Sequence, residues 1–216
     1  MFRALVVRGD RRRLDGIANA VVPMLPDGDA SLLDVGCGNG VLAARLQQRK
    51  PDLRIEGVDV AVPPDGRIRS SVYDGRTLPF PDDAFDLVLC ADMLHHTDNP
   101  QRMLREAARV ARSWVIVKDH VVETRWQRLT MTALDWIGNV GTGVPMPFNF
   151  LSSQQWRDAF GRAGLRMEEE RSGLRYWFWP LTELVDRDMH FVVKLRPTRP
   201  ASIAESSESH HPDPDA

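Results

Sequence analysis

The sequence predicts an α/β fold, a three-layer sandwich in which a mostly parallel, seven-stranded sheet carries helices on both faces. Three observations predict it. Short β-branched runs alternate along the chain with longer stretches of helical period. The first run, residues 31–35, ends in the glycine-rich turn Gly36-Cys37-Gly38-Asn39-Gly40. A later run, residues 85–90, is almost continuous in apolar side chains, which suits a central parallel strand covered on both faces.

Each element follows in order. A leading helix is predicted over 11–24, because Leu14, Ile17, Ala18, Val21 and Val22 fall on one stripe and Pro23 and Pro26 end it. Strand one, residues 31–35, and its glycine turn lead into a helix over 41–48. The second strand is predicted over 54–60 and a short third over 68–72. Pro79 and Pro81 make the following stretch a loop, since proline cannot continue a ladder. Strand four is 85–90, and Asn99-Pro100 opens a helix with Met103, Leu104, Ala107, Ala108 and Val110 in period. Strand five is 114–117. Residues 121–150 then read as a lid insertion: an amphipathic helix over 123–137 and a Gly- and Pro-rich loop. Ser152 or Ser153 caps a helix to 160, which Gly161 and Gly164 stop before strand six at 165–171. A last, antiparallel strand is predicted over 190–195. The tail 197–216 has too little apolar surface to fold and is expected to be disordered, leaving one domain over 1–196.

Composition narrows the function. The chain has 216 residues, 43% hydrophobic and 27% charged, with no apolar run near the ~20 residues that a membrane span needs. No membrane span and a cytoplasmic location are expected, because the N-terminus lacks a secretory h-region. Lys and Arg number 28 against 30 Asp and Glu, so the net charge is -2 and no global field draws the chain to nucleic acid. The local cluster Arg8, Arg11, Arg12 and Arg13 reads as a solvated helix opening. Cys37 and Cys90 have no metal-type partner at short spacing, and no disulfide framework is expected.

The chemistry sits in Leu32-Leu33-Asp34-Val35-Gly36-Cys37-Gly38-Asn39-Gly40. Such a turn lets a ligand approach backbone amides closely. A dinucleotide fingerprint would read G-x-G-x-x-G, but here the third glycine comes one residue early, at Gly40, and Val41 stands in its place. Asp59, at the end of strand two, can accept hydrogen bonds from two ribose hydroxyls, so a ribose-bearing cofactor fits either motif.

Four segments carry a family resemblance: the glycine-turn segment just quoted; Glu56-Gly57-Val58-Asp59; Tyr73-Asp74-Gly75 with Leu78-Pro79-Phe80; and Phe85-Asp86-Leu87-Val88 through Leu94-His95-His96. In this order over residues 30–120, the chain resembles the class I S-adenosylmethionine-dependent methyltransferases, in the small-molecule group that includes the quinone-ring C-methylating enzymes. The resemblance implies a Rossmann-like fold with S-adenosyl-L-methionine as cofactor. It also implies that the turn Gly36, Cys37, Gly38 and Gly40 holds the methionine moiety, that Asp59 holds the ribose and that Asp74 meets the adenine amino group, with Asp34, Val60 and Gly75 among the cofactor-binding residues. Ala91 would complete the site at the end of strand four. From the residues alone, Asp34, Asp59 and Asp74 are acceptors at successive strand ends, and each could instead cap its own turn.

His95 and His96 follow strand four, and Asp119 and His120 end strand five. These are the catalytic candidates, as general bases or as structural groups whose rings bond the backbone. No metal is expected, since a third ligand is offered only by the distant Asp119 and His120. Methyl transfer proceeds by in-line displacement, where positioning and desolvation can suffice. Trp126, Met131, Leu134, Trp136, Ile137, Met146, Phe148 and Phe150, with Leu174, Tyr176, Trp177, Phe178, Trp179 and Leu181, either line a pocket for a small apolar or aromatic acceptor or close the core or a homodimer contact. The leading function is methyl transfer from S-adenosylmethionine to such an acceptor, at C, O or N. A non-catalytic cofactor- or partner-binding protein and an NAD(P)-dependent oxidoreductase are the alternatives.

Overall fold

The computed structural model describes residues 2–139, 147–174 and 189–198. The tail beyond residue 198, the loop residue Met146, and the aromatic group from Tyr176 to Leu181 lie outside the described residues; Pro197, expected in the disordered tail, instead ends the last strand, and the Thr198 N–H donates to the Gly164 carbonyl at 2.7 Å. Helix α1, Phe2–Val21, starts earlier than periodicity indicated. It ends where Pro23 turns the chain into a 3-10 turn, Val22–Met24.

Strands β1 (Ala30–Val35), β2 (Leu53–Asp59), β3 (Ser70–Val72), β4 (Phe85–Ala91), β5 (Ala111–His120), β6 (Leu165–Ser172) and β7 (His190–Pro197) form one sheet in the order β3-β2-β1-β4-β5-β7-β6. β7 alone runs antiparallel, between β5 and β6. Helices α2 (Val41–Arg49), α3 (Pro100–Val110), α4 (Arg125–Asn139) and α5 (Ser153–Arg162) complete the order.

Side chains alternate along each strand, so neighbours enter different layers. Leu32, Leu87, Leu89 and Ile116 pack with Ile17, Val21 and Met24 of the α1 region and with Leu42 and Leu46 of α2. Leu33, Val35, Val88, Val115 and Val193 pack on the other face with Met103, Leu104 and Ala107 of α3 and with Trp156 and Phe160 of α5. Each such side chain stabilises the fold by about 1.5–3 kcal/mol through area removed from water. Truncating Leu46 to alanine would cost more, about 2–5 kcal/mol, because a cavity remains.

Three boundaries depart from the sequence reading. β5 extends over ten residues rather than four, starting directly after α3 and running through the fully buried Lys118 and Asp119. β3 keeps only its last three residues. α5 continues through Gly161 to Arg162, and Gly164, at φ 69°, marks the turn into β6. The start of α5 is a capping box in which Ser152 and Gln155 each bond the other's backbone N–H.

β1 lies between β2 and β4, and strand order reverses at the β1/β4 boundary. Open α/β sheets bind ligands in the crevice outside the carboxyl ends of the strands at this point.

Candidate active site

The turn after β1 is fixed from below. The Gly36 N–H donates to the Val58 carbonyl at 2.8 Å and the Cys37 N–H to the same oxygen at 3.2 Å, which presses the turn against β2. Gly36 has φ 73°, and a Cβ there would stand 2.7 Å from Met93 Cβ. Gly38 also has positive φ, 53°, but a Cβ on it would meet nothing within 4 Å. One glycine is required by packing, then, and the other leaves open space above a backbone amide.

That amide is held by the predicted ribose acid. The Gly38 N–H donates to Asp59 Oδ2 at 2.8 Å, and the Ala61 N–H donates to Asp59 Oδ1 at 3.2 Å. A carboxylate offers about four lone-pair sites, so Asp59 keeps capacity for ligand hydroxyls. Beneath it, Asp34 is buried, and burial, then the nearby Asp59 charge, pushes its carboxyl up to about 7. Burial likewise pushes the Cys37 thiol up to about 12, which disfavours its thiolate form.

Val60 stands 49% exposed beside β2, and the Gly75 backbone passes so near that a Cβ there would lie 3.1 Å from Val60 Cγ1. Asp74 is exposed, and its Oδ1 accepts the Arg76 and Thr77 N–H groups at 2.8 and 2.7 Å, an Asx-type turn that holds its carboxyl below the usual range. Ala91 is half-buried at the end of β4. An amide turn, an acidic acceptor with spare capacity and an apolar neighbour are a donor set that fits S-adenosylmethionine, which has no phosphate.

Across the crevice, four predicted residues come together. His95 and His96 close a 3-10 turn, Leu94–His96, just after β4, and Asp119 and His120 lie side by side in β5. His95 Nδ1 is 2.6 Å from Asp119 Oδ1, which also accepts the His120 N–H at 2.8 Å and lies 3.3 Å from His120 Nδ1. Burial opposes charge on His95, but the Asp119 carboxylate beside it prevails and raises its pKa. Burial, with Lys118 adding to it, drives His120 down to about 3, so that ring is neutral. Burial works against ionised Asp119, but the facing His95 holds its carboxyl well below the usual range. Asp119 thus orients both imidazoles, of which the His120 ring is neutral.

Sequence reasoning missed four members of this region. Asp92, at φ 52° just past β4, pairs with the buried Lys118 Nζ, and its Oδ2 lies 3.7 Å from Arg13 of α1. His190 Nδ1 lies 3.4 Å from Lys118 Nζ. Asp135 of α4 lies with Oδ1 3.5 Å from His96 Nε2 and 3.9 Å from His95 Nε2. Its signal was a carboxylate one turn after Met131, on the buried side of an amphipathic helix.

The aromatic expectation divides. Met131 and Phe150 are buried with Val122 and Met189, and Leu134 and Phe148 pack against them. Phe150 stacks on His95 at 5.4 Å between ring centroids. Trp126 and Trp136 instead face outward, 76% and 53% exposed. A separate recess lined by Asp82, Arg105, Arg109 and Gly164 lies at the opposite ends of the strands, away from this crevice. Among the described residues, no helix is long and apolar enough to cross a membrane.

Comparisons with known proteins agree with this architecture. A family model described as a methyltransferase domain matches residues 8–170. The chain is 33% identical over 94 residues to 27-O-demethylrifamycin SV methyltransferase of Amycolatopsis mediterranei, covering 38% of this chain and 34% of that protein. It is 29% identical over 106 residues to ajmaline N-methyltransferase of Rauvolfia serpentina, covering 42% and 36%. The aligned part spans about a third of the length of these relatives. A solved S-adenosylmethionine-dependent methyltransferase from Mesorhizobium loti superposes with TM-score 0.63 at 20% identity, over 85% of this chain and 99% of that one, a likeness of fold. With its glycine turn, its strand-end acids and this match over most of its length, the chain belongs to the methyltransferase-domain family, of the class I S-adenosylmethionine-dependent type.

Proposed function

We propose that this protein transfers a methyl group from S-adenosylmethionine to a hydroxyl oxygen on a small, largely apolar molecule. The observation that carries the reading is a juxtaposition at the β1/β4 crevice: Gly38 tied to Asp59 on one side, and the His95–Asp119 pair on the other. The cofactor supplies an electrophilic methyl group when bound. The chain's residues do the rest by holding, orienting and drying the site.

Asp34, Gly36, Cys37, Gly38, Gly40, Asp59, Val60, Asp74, Gly75 and Ala91 form the cofactor side of this proposal. His95, His96, Asp119 and His120 form the acceptor side. Histidine and carboxylate groups there suit an acceptor that loses a proton as it gains a methyl group, as a hydroxyl does. Phe148, Phe150 and Met131 beside them favour an apolar frame, which gains most by leaving water. The 27-O-demethylrifamycin SV enzyme is named for methylating an oxygen, which supports the same choice. A cytoplasmic location belongs to this reading, since Cys37 and Cys90 are free and buried, as suits a reducing compartment.

Calorimetric titration with S-adenosylmethionine and its demethylated product, followed by mass spectrometry of reactions with a panel of apolar alcohols and phenols, tests it. Micromolar binding of both ligands and a product heavier by one methylene are expected. No binding of either ligand would overturn the proposal.

A further inference from the structure

The geometry points to a binding site for a divalent first-row transition-metal ion, made by His95 Nε2, His96 Nε2 and Asp135 Oδ1. One donor atom from each of the three residues lies within 4.8 Å of the others. The measured separations to Asp135 Oδ1 are 3.5 Å from His96 Nε2 and 3.9 Å from His95 Nε2. Two ligands on one zinc-like ion, each bonded at about 2.05 Å in tetrahedral geometry, stand about 3.3 Å apart. The Asp135 distances are therefore at or beyond the limit for a direct hydrogen bond and close to what a shared ion requires.

The surroundings supply what such a site needs beyond its ligands. Metal-bound histidines donate their other ring N–H to a carboxylate, which fixes the tautomer and the ring orientation. His95 does this already: its Nδ1 sits 2.6 Å from Asp119 Oδ1, and Nε2 turns toward Asp135. His95 is thus placed between two carboxylates, one at each nitrogen, in an almost fully buried position. A dication between the rings and Asp135 offsets the second of these charges. His96 is the most open member, with its side chain 16% exposed, so the site has an approach from outside.

Two imidazoles and one carboxylate suit borderline ions such as Zn2+ or Co2+, with the harder Mn2+ bound more weakly, over Ca2+, which takes six to eight oxygen ligands. Three protein ligands leave coordination positions open, as in catalytic rather than structural sites. An ion there would hold a hydroxyl oxygen of the acceptor and favour its deprotonated form. Only this last role rests on the methyl-transfer reading; the binding of the ion does not. The two ligand sources, the turn after β4 and helix α4, also make the ion a clasp between the sheet and the lid insertion.

The test uses the full chain freed of metal by chelator and then dialysed. Zn2+ and Mn2+ are titrated calorimetrically, Co2+ is followed by its visible absorption, and S-adenosylmethionine is titrated into the same metal-free samples. One ion per chain is expected. Asp135→Asn and His96→Gln should each weaken it about tenfold or more without changing cofactor affinity, and Asp119→Asn, which removes only the orienting carboxylate, by about 10–100-fold. No saturable binding of any of the three ions, or undiminished binding in both Asp135→Asn and His96→Gln, would overturn the site. Should Asp135→Asn fail to fold, the more exposed His96→Gln decides alone. Ion binding by a chain that takes no S-adenosylmethionine would leave the site standing and remove the methyl-transfer reading instead.

Discussion

His95 Nδ1 and Asp119 Oδ1 lie 2.6 Å apart with both side chains out of solvent, and this pair joins the end of β4 to the end of β5. Asp119 is held ionised to well below the usual carboxylate range and in turn raises the His95 pKa, while His120, on the same oxygen, stays neutral. Asp119→Asn removes the partner that raises the His95 pKa, so the His95 titration, followed by proton NMR, should move to lower pH.

The same pair sets a pH dependence of stability. His95 titrates above its unfolded value, so its contribution is fully present below that value and is lost as pH rises through the folded one. Asp119 stays ionised to well below its usual range, so its own loss falls at far lower pH. In chelator, the stability gap between wild type and Asp119→Asn should therefore be larger at about pH 6 than at about pH 9. Urea melts at the two pH values measure it; a gap that widens toward high pH would contradict a raised His95 pKa.

Two neighbouring glycines should separate folding from binding. Gly36→Ala combines positive φ with a Cβ placed 2.7 Å from Met93 Cβ, so it should cost several kcal/mol, from roughly 1–2 for the left-handed backbone plus overpacking of about 1–3. Gly38→Ala carries the backbone cost alone, because its methyl group meets nothing in the protein. In the proposed site the cofactor lies in this open space, and calorimetry should record a larger loss of S-adenosylmethionine affinity than thermal melting records of stability.

Asp59→Ala should weaken cofactor binding about tenfold to several hundredfold, since each unpaired buried hydrogen-bonding group costs about 1–3 kcal/mol. It also strips the Gly38 N–H of its acceptor. Asp74→Ala should do less to binding, because the Asp74 carboxylate already caps the Arg76 and Thr77 amides from an exposed position. Parallel titrations of the two variants check the order, and an Asp74 loss exceeding that of Asp59 would reverse the assignment.

How much of this was legible in the sequence depended on whether the signal was local. The turn Gly36–Gly40 and the acid Asp59 were readable because a strand, its glycines and the following helix are neighbours in the chain. β5 was read too short because Lys118, Asp119 and His120 look like a strand leaving the sheet. They stay inside it because Asp92, His95 and His190, from other elements, partner them. Asp135 carried only the signal of a carboxylate on the buried side of its helix, since nothing near it in sequence tells which histidines it will face. Trp126 and Trp136 show the same limit: their apolar type left pocket lining, core closure and a homodimer contact open, and their exposure on α4 removes only core closure.

Lys118 tests the buried charges directly. Its ammonium is fully buried, and burial lowers its pKa, but it lies against Asp92 and so stays the natural counter-charge for that carboxylate. Burial works against ionised Asp92 as well, yet Lys118 and then Arg13 hold it far below the usual carboxylate range. Removing one partner of a buried pair costs about 3–5 kcal/mol because a charge is left uncompensated, whereas replacing both can be neutral. Lys118→Met should therefore destabilise strongly, with Arg13, at 3.7 Å from Asp92 and more exposed than Lys118, offsetting only part of the loss. Lys118→Met combined with Asp92→Asn should recover most of the loss in urea melts. Equal losses in the single and double variants would mean that Lys118 acts through its packing in β5 and not through its charge.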